Sequence, residues 1–280
     1  MREQPYYSIR TRTNANAANC DLPTLLKLFG GVYRQLYAQG FFQEAFGYKC
    51  KRRGRYVLGT IGQEDIGSYF SWRLNKTNLW PIRAKVTEYS EDDLFDVVEF
   101  LYDNASEPTG SFGCGPPCSR IHHDQFDQTS GRSIYRVKIN DLICVYKDGY
   151  ELSADGEVLT LPDLELRSLL QEPIPIYDQR NVNERIEIAR RRFLNRHATL
   201  DDKHAAVRDL VDVLEFLKPK LKEVLTKKDE SDLFNIANNF GIRHHNAKQR
   251  TDYDKDIWVP WLFTFYYSTI LAALRRVKKE

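Results

Sequence analysis

Apolar residues recur at helical spacing along most of the chain, and Leu22, Leu25, Leu26, Phe29, Tyr33, Leu36 and Tyr37 form the first such stripe. Intervals of three and four residues put these side chains on one helix face, so the segment predicts an amphipathic helix. Gly30-Gly31 interrupts the stripe. A glycine inside a helix costs about 1 kcal/mol relative to alanine, so the pair predicts either a break or a close approach by a neighbour. Ser90 ahead of Glu91, Asp92 and Asp93 marks the next helix start, because acids in a first turn meet the positive end of the helix dipole. Leu94, Phe95, Val98, Leu101 and Tyr102 continue that helix, and Tyr135, Ile139, Leu142, Ile143 and Tyr146 repeat the spacing further on. Between them, Glu107–Cys118 collects Pro108, Gly110, Gly113, Gly115, Pro116 and Pro117 and reads as a loop. Asp155-Gly156 between two short alternating runs reads as the type I′ turn of a β-hairpin.

Pro162, Pro173, Pro175 and Asp178 then punctuate the chain, and a domain boundary is expected there, between 1–178 and 179–280. Beyond it the pattern is helical throughout. Ile186, Ala189 and Phe193 share one face, and Thr199 or Asp201 caps a long stripe running from Val207 to Val224 with Pro219 inside it. A helix starting at Asp229 carries Leu233, Ile236, Ala237 and Phe240 and stops at Gly241, and a last aromatic helix closes the chain. The expected fold is mostly α: a C-terminal four-helix bundle preceded by a helix-rich α+β domain with a small β-hairpin. Residues 1–20 show no periodicity and are expected to form an arm or an edge segment.

Composition changes this picture little. Of 280 residues, 42% are hydrophobic, enough for a real core, and 41 basic against 39 acidic residues give a net charge of +2. That balance excludes a histone-like polycation but leaves room for local basic patches. Five cysteines and a polar start without an apolar leader point to a reducing cytoplasm. Ile257–Leu274 is uncharged and reaches the lower length for a membrane span, but Pro260, Thr264, Tyr266, Tyr267, Ser268 and Thr269 make one face semi-polar. Such a helix suits a bundle core or a dimer interface, so no stable membrane association is expected.

Three clusters carry candidate chemistry. Lys49-Cys50-Lys51-Arg52-Arg53-Gly54-Arg55 is a dense positive run, read as a solvated loop ahead of a phosphate-contacting patch. Cys114 and Cys118 followed by His122-His123 have ligand types that suit zinc, but the irregular spacing favours a loop with reduced thiols, so no metal or cofactor is assigned. The third cluster is Arg243-His244-His245-Asn246, directly after the glycine stop. Imidazole titrates near neutral pH and can move a proton to or from a ribose hydroxyl, and a guanidinium grips a phosphate with two hydrogen bonds. A structural alternative has the histidines capping the preceding helix and Arg243 pairing with Asp252 or Asp254.

At these residues the sequence resembles the HEPN superfamily of helical-bundle proteins, most of all the AbiJ-type abortive-infection proteins. The stretches that carry the likeness are TLDDKHAAVRDLVDVLEFLKP (Thr199–Pro219), DLFNIANNFGIRHHN (Asp232–Asn246) and the tail IWVPWLFTFYYSTILAAL. The segment DGYELSADGEVL (Asp148–Leu159) resembles the N-terminal domain that accompanies such bundles. The resemblance implies a metal-independent endoribonuclease that dimerises through the bundle and faces RNA with paired Arg/His motifs. Arg243, His244, His245 and Asn246 are then the catalytic candidates, and Lys248 and Arg250 the RNA-binding ones. Ala247, Lys248 and Gln249 stand where the family's later histidine belongs. Either His244 or His245 substitutes for it, or the bundle binds RNA or a partner without cutting. Arg192 with His197 matches the raw spacing but reads as coincidence in a basic helix.

Overall fold

The computed structural model describes residues 20–62, 65–118, 121–162, 164–242 and 253–277. Among the described residues the fold is mostly helical, with three small two-stranded sheets, and the chain separates into two compact units, Met1–Leu159 and Thr160–Glu280. The expected arm at 1–20 lies almost wholly outside the described residues.

The first unit is built on α1 (Leu22–Ala38), α5 (Glu91–Asp103) and α6 (Gln128–Ile143), with the short helices α2 (Gln43–Phe46), α3 (Ile66–Leu74) and α4 (Ile82–Lys85) around them. The glycine pair does not break α1. A side chain at Gly30 would meet Val86 Cγ1 at 3.2 Å, so the missing Cβ is what lets the Val86 turn pack close. The helix starts at Ser90 as expected, and Ser90 forms a complete capping box with Asp93. Aromatic rings fill the centre, with Phe70 edge-on to Phe100 at 4.6 Å and Phe42 stacked with Phe46 at 5.7 Å.

Two expectations change in this unit. The Gly/Pro-rich segment is only half a loop: Glu107–Gly113 is strand β3, paired with β4 (Ile121–Asp127), and the irregular register at Pro108–Ser111 absorbs the proline and glycine. The basic run is also a hairpin, β1 (Tyr48–Cys50) against β2 (Arg55–Val57). The Asp155-Gly156 hairpin is present as β5 (Tyr150–Leu152) and β6 (Val158–Thr160), but only Gly156 has a positive φ, so its loop is longer than a two-residue type I′ turn.

The second unit contains the four expected helices: α8 (Glu184–Leu194), α9 (Leu200–Val224), α10 (Lys227–Asn239) and α11 (Lys255–Val277). A further helix, α7 (Leu164–Gln171), buries Leu166 and Leu170, and Glu172 beyond it pairs with Arg275 of α11. This explains why the division falls before the proline-rich stretch: that stretch carries a helix belonging to the bundle. Helix α9 is central, packing along α8 and α11 and running through Pro219 without a break. Thr199 caps it in a box with Asp202, while α10 begins at Lys227 under a Thr226 cap, with Asp229 inside its first turn. Phe193 stacks on Phe263 at 3.9 Å, and Tyr266 Oη donates to the Leu233 carbonyl at 3.0 Å, tying α11 to α8 and α10. By length and composition α11 qualifies as a membrane-crossing helix, yet half of its apolar window is buried within the bundle.

Candidate functional site

Among the described residues, metal-ligand types gather in the first unit, and the second unit shows the flanks of the Arg243–Asn246 segment. In the first, two hairpin tips converge. Cys50 is the last residue of β1, opposite Arg55, and Gly113 at the end of β3 lies opposite Ile121. Cys114 and Cys118 therefore sit in the β3–β4 connection, and His122 is the second residue of β4. Successive side chains of a strand point to opposite faces, so His122 and His123 cannot serve one site. His122 is buried against the cysteines, whereas His123 Nδ1 lies 3.0 Å from the Gly110 carbonyl oxygen.

The donor atoms of Cys50, Cys114, Cys118 and His122 all lie within 4.8 Å of one another, and all four residues are buried. Cys50 Sγ is 3.3 Å from Cys114 Sγ, and Cys118 Sγ is 3.3 Å from His122 Nε2. The expected ligand types are present, but Cys50, 64 residues before Cys114, takes the place given to His123. The surroundings hold this geometry. The Arg53 amide donates to Cys50 Sγ at 3.4 Å and holds that thiol below its ordinary value. Tyr48 stacks on the His122 ring at 4.0 Å, and the Arg52 guanidinium donates to the Cys114 carbonyl. Lys49, Lys51, Arg52, Arg53 and Arg55 are exposed around the buried Cys50.

In the second unit, α10 ends in a Schellman motif. Gly241, at φ 68°, donates to the Asn238 carbonyl, and the Ile242 amide reaches the Ala237 carbonyl at 3.0 Å. Only a residue tolerant of the left-handed region suits position 241. Ile242 is fully buried, and its carbonyl accepts from Arg208 Nε of α9 at 2.9 Å. On the far side, Tyr253 packs edge-on against Phe240 at 5.0 Å and donates its hydroxyl to the Phe240 carbonyl. Arg243, His244, His245, Asn246, Lys248 and Arg250 lie between these anchors, outside the described residues. Arg208 was not singled out from sequence, although it stands one helical turn after His204 on the same face of α9. Arg192 pairs with Asp209 at 2.5 Å, a contact between α8 and α9. A scan against protein-family models and searches of curated proteins and solved structures find no match to this chain.

Proposed function

We propose that the chain is an RNA-directed protein whose C-terminal bundle is a HEPN-type, metal-independent endoribonuclease of antiphage defence. The observation that carries the RNA reading is the β1–β2 hairpin, where Lys49, Lys51, Arg52, Arg53 and Arg55 are exposed around one buried cysteine. Such a hairpin presents cations to a phosphate backbone from a rigid base. Cutting is assigned to Arg243, His244 and His245, with Asn246 beside them and Lys248 and Arg250 on the RNA. Support comes from the helical bundle and from the anchors at Ile242 and Tyr253, which fix both flanks of this segment.

In this reading Arg243 holds the scissile phosphate. One histidine takes the proton of the ribose 2′-hydroxyl, and the 2′-oxygen bonds to phosphorus. The 5′-oxygen leaves with a proton from the other histidine, giving a 2′,3′-cyclic phosphate and a 5′-hydroxyl. Cleavage of labelled RNA without added divalent metal tests this. Wild type is expected to cut and leave cyclic-phosphate ends, and Arg243→Ala to cut about 100-fold more slowly at an unchanged melting temperature. An Arg243→Ala protein that cuts at the wild-type rate defeats the assignment.

A second reading, a bundle that dimerises and binds without cutting, is favoured by one surface. Trp258 and Trp261 are 39% and 43% exposed, and an apolar groove of about 490 Å³ opens beside Leu225, Leu233, Ile236 and Phe265. Light scattering is expected to give a dimer for wild type and a monomer for Trp258→Ser/Trp261→Ser. A wild-type monomer at all concentrations removes this reading.

A further inference from the structure

We propose that Cys50, Cys114, Cys118 and His122 bind one Zn²⁺ through three thiolates and one imidazole, and that the ion clamps the two hairpins of the first unit together. Three observations carry it. The four donor atoms come from three separate chain positions (a β1 end, a β3–β4 connection and a β4 start) and yet meet within 4.8 Å. Around a single zinc ion, at about 2.3 Å from sulfur and 2.0–2.1 Å from nitrogen, tetrahedral donors stand roughly 3.5–3.8 Å apart. The closest pairs here stand at 3.3 Å, so one ion fits the group with small side-chain adjustments.

The chemistry of the set agrees. Buried thiols crowded together gain little from one another, since S–H is a weak donor and sulfur a weak acceptor. A Cys50–Cys114 disulfide would need sulfurs about 2.05 Å apart, and it would leave Cys118 and His122 unused. Three sulfurs and one nitrogen in a closed, buried group select zinc over hard cations, which take oxygen ligands. Four protein ligands leave no open position for water or substrate, so the site is structural.

The surroundings supply the support that metal sites recruit. The Arg53 amide aims at Cys50 Sγ, and Tyr48 fixes the plane of the His122 ring. Binding releases protons, because the thiols must ionise; zinc on three thiolates then carries a net charge of −1. That charge sits among Lys51, Arg52, Arg53 and Arg55, whose cations offset it.

The test is the metal content of the full chain, purified in reductant without chelator. Elemental analysis is expected to find about one zinc per chain, falling to about a tenth or less in Cys50→Ser and Cys118→Ser. The Cys20→Ser/Cys144→Ser double variant, whose cysteines lie outside the cluster, is expected to keep its zinc. Because serine variants at a structural site can unfold, two further measurements hold the proposal open to refutation. Cobalt added to zinc-stripped wild type is expected to give thiolate charge-transfer bands and the strong visible bands of a tetrahedral ion. His122→Cys, which replaces one good ligand by another, is expected to retain zinc. Wild type that holds no zinc and takes up no cobalt overturns the proposal, as does a full equivalent of zinc in Cys50→Ser. A Cys50–Cys114 disulfide found in reduced protein also overturns it. None of these outcomes depends on RNA cleavage.

Discussion

Zinc-stripped protein is expected to melt in two steps, with the first unit's transition lowered and the bundle's unmoved. A ligand bound only by the folded state stabilises it by RT ln(1 + [L]/Kd), about 3–4 kcal/mol at 100–1,000 times Kd. The first unit keeps its own aromatic core around Phe42, Phe46, Phe70 and Phe100, so it loses the clamp and not the fold. At about 2–4 °C per kcal/mol for a unit of this size, the shift is roughly 6–16 °C. Calorimetry resolves the two transitions, and hydrogen exchange locates the loss. Amides of β1–β2 and of the β3–β4 tip are expected to lose protection, while those of α1, α5 and α6 keep it. An unchanged first transition would mean that the ion clamps nothing. Acid gives the same result by another route: protons compete for the thiolates, so the clamp weakens as pH falls.

Removing charge from the hairpin is expected to have the second large effect. Lys51→Ala/Arg53→Ala/Arg55→Ala leaves Arg52, which donates to the Cys114 carbonyl, in place. For single-stranded RNA each lost phosphate contact lowers the salt slope of log K by about 0.7, so three lower it by about 2. Affinity at low salt falls by about 100-fold on the same account. Fluorescence anisotropy across a potassium chloride series reads both quantities, and the variant keeps all four of the proposed zinc ligands. A salt slope identical to wild type would take the hairpin out of the RNA surface and leave binding to the bundle.

Much of the helical frame was legible because its signals are local. The Ser90 start and the Gly241 stop each act within a few residues and stand where the pattern put them, and of the two caps offered, Thr199 and Asp201, the helix uses Thr199. Asp229 reads as the helix start, but Thr226, three residues earlier, accepts from the Asp229 amide and caps a helix that begins at Lys227. What failed to show was long-range. Gly30 gave no hint of Val86, and nothing near Cys114 announces Cys50. The strand at Glu107–Gly113 was hidden by its glycines and proline, and without that strand the parity separating His122 from His123 could not be applied. Of the bundle's candidate segment only the flanks are described, and Arg208 emerges there through a backbone carbonyl, which no sequence pattern encodes.

The 64-residue separation of Cys50 from Cys114 also sets an order of assembly. Cys114, Cys118 and His122 lie within one short span and can capture an ion as soon as that span leaves the ribosome. Recruiting Cys50 closes a loop of that length, with an entropy cost of roughly 4 kcal/mol by the chain-closure relation. Helices α3, α4 and α5 lie inside the loop, and their packing brings its ends together before the fourth bond forms. Closure onto Cys50 is therefore the last step in forming the four-ligand site, and it leans on the packing of α3, α4 and α5.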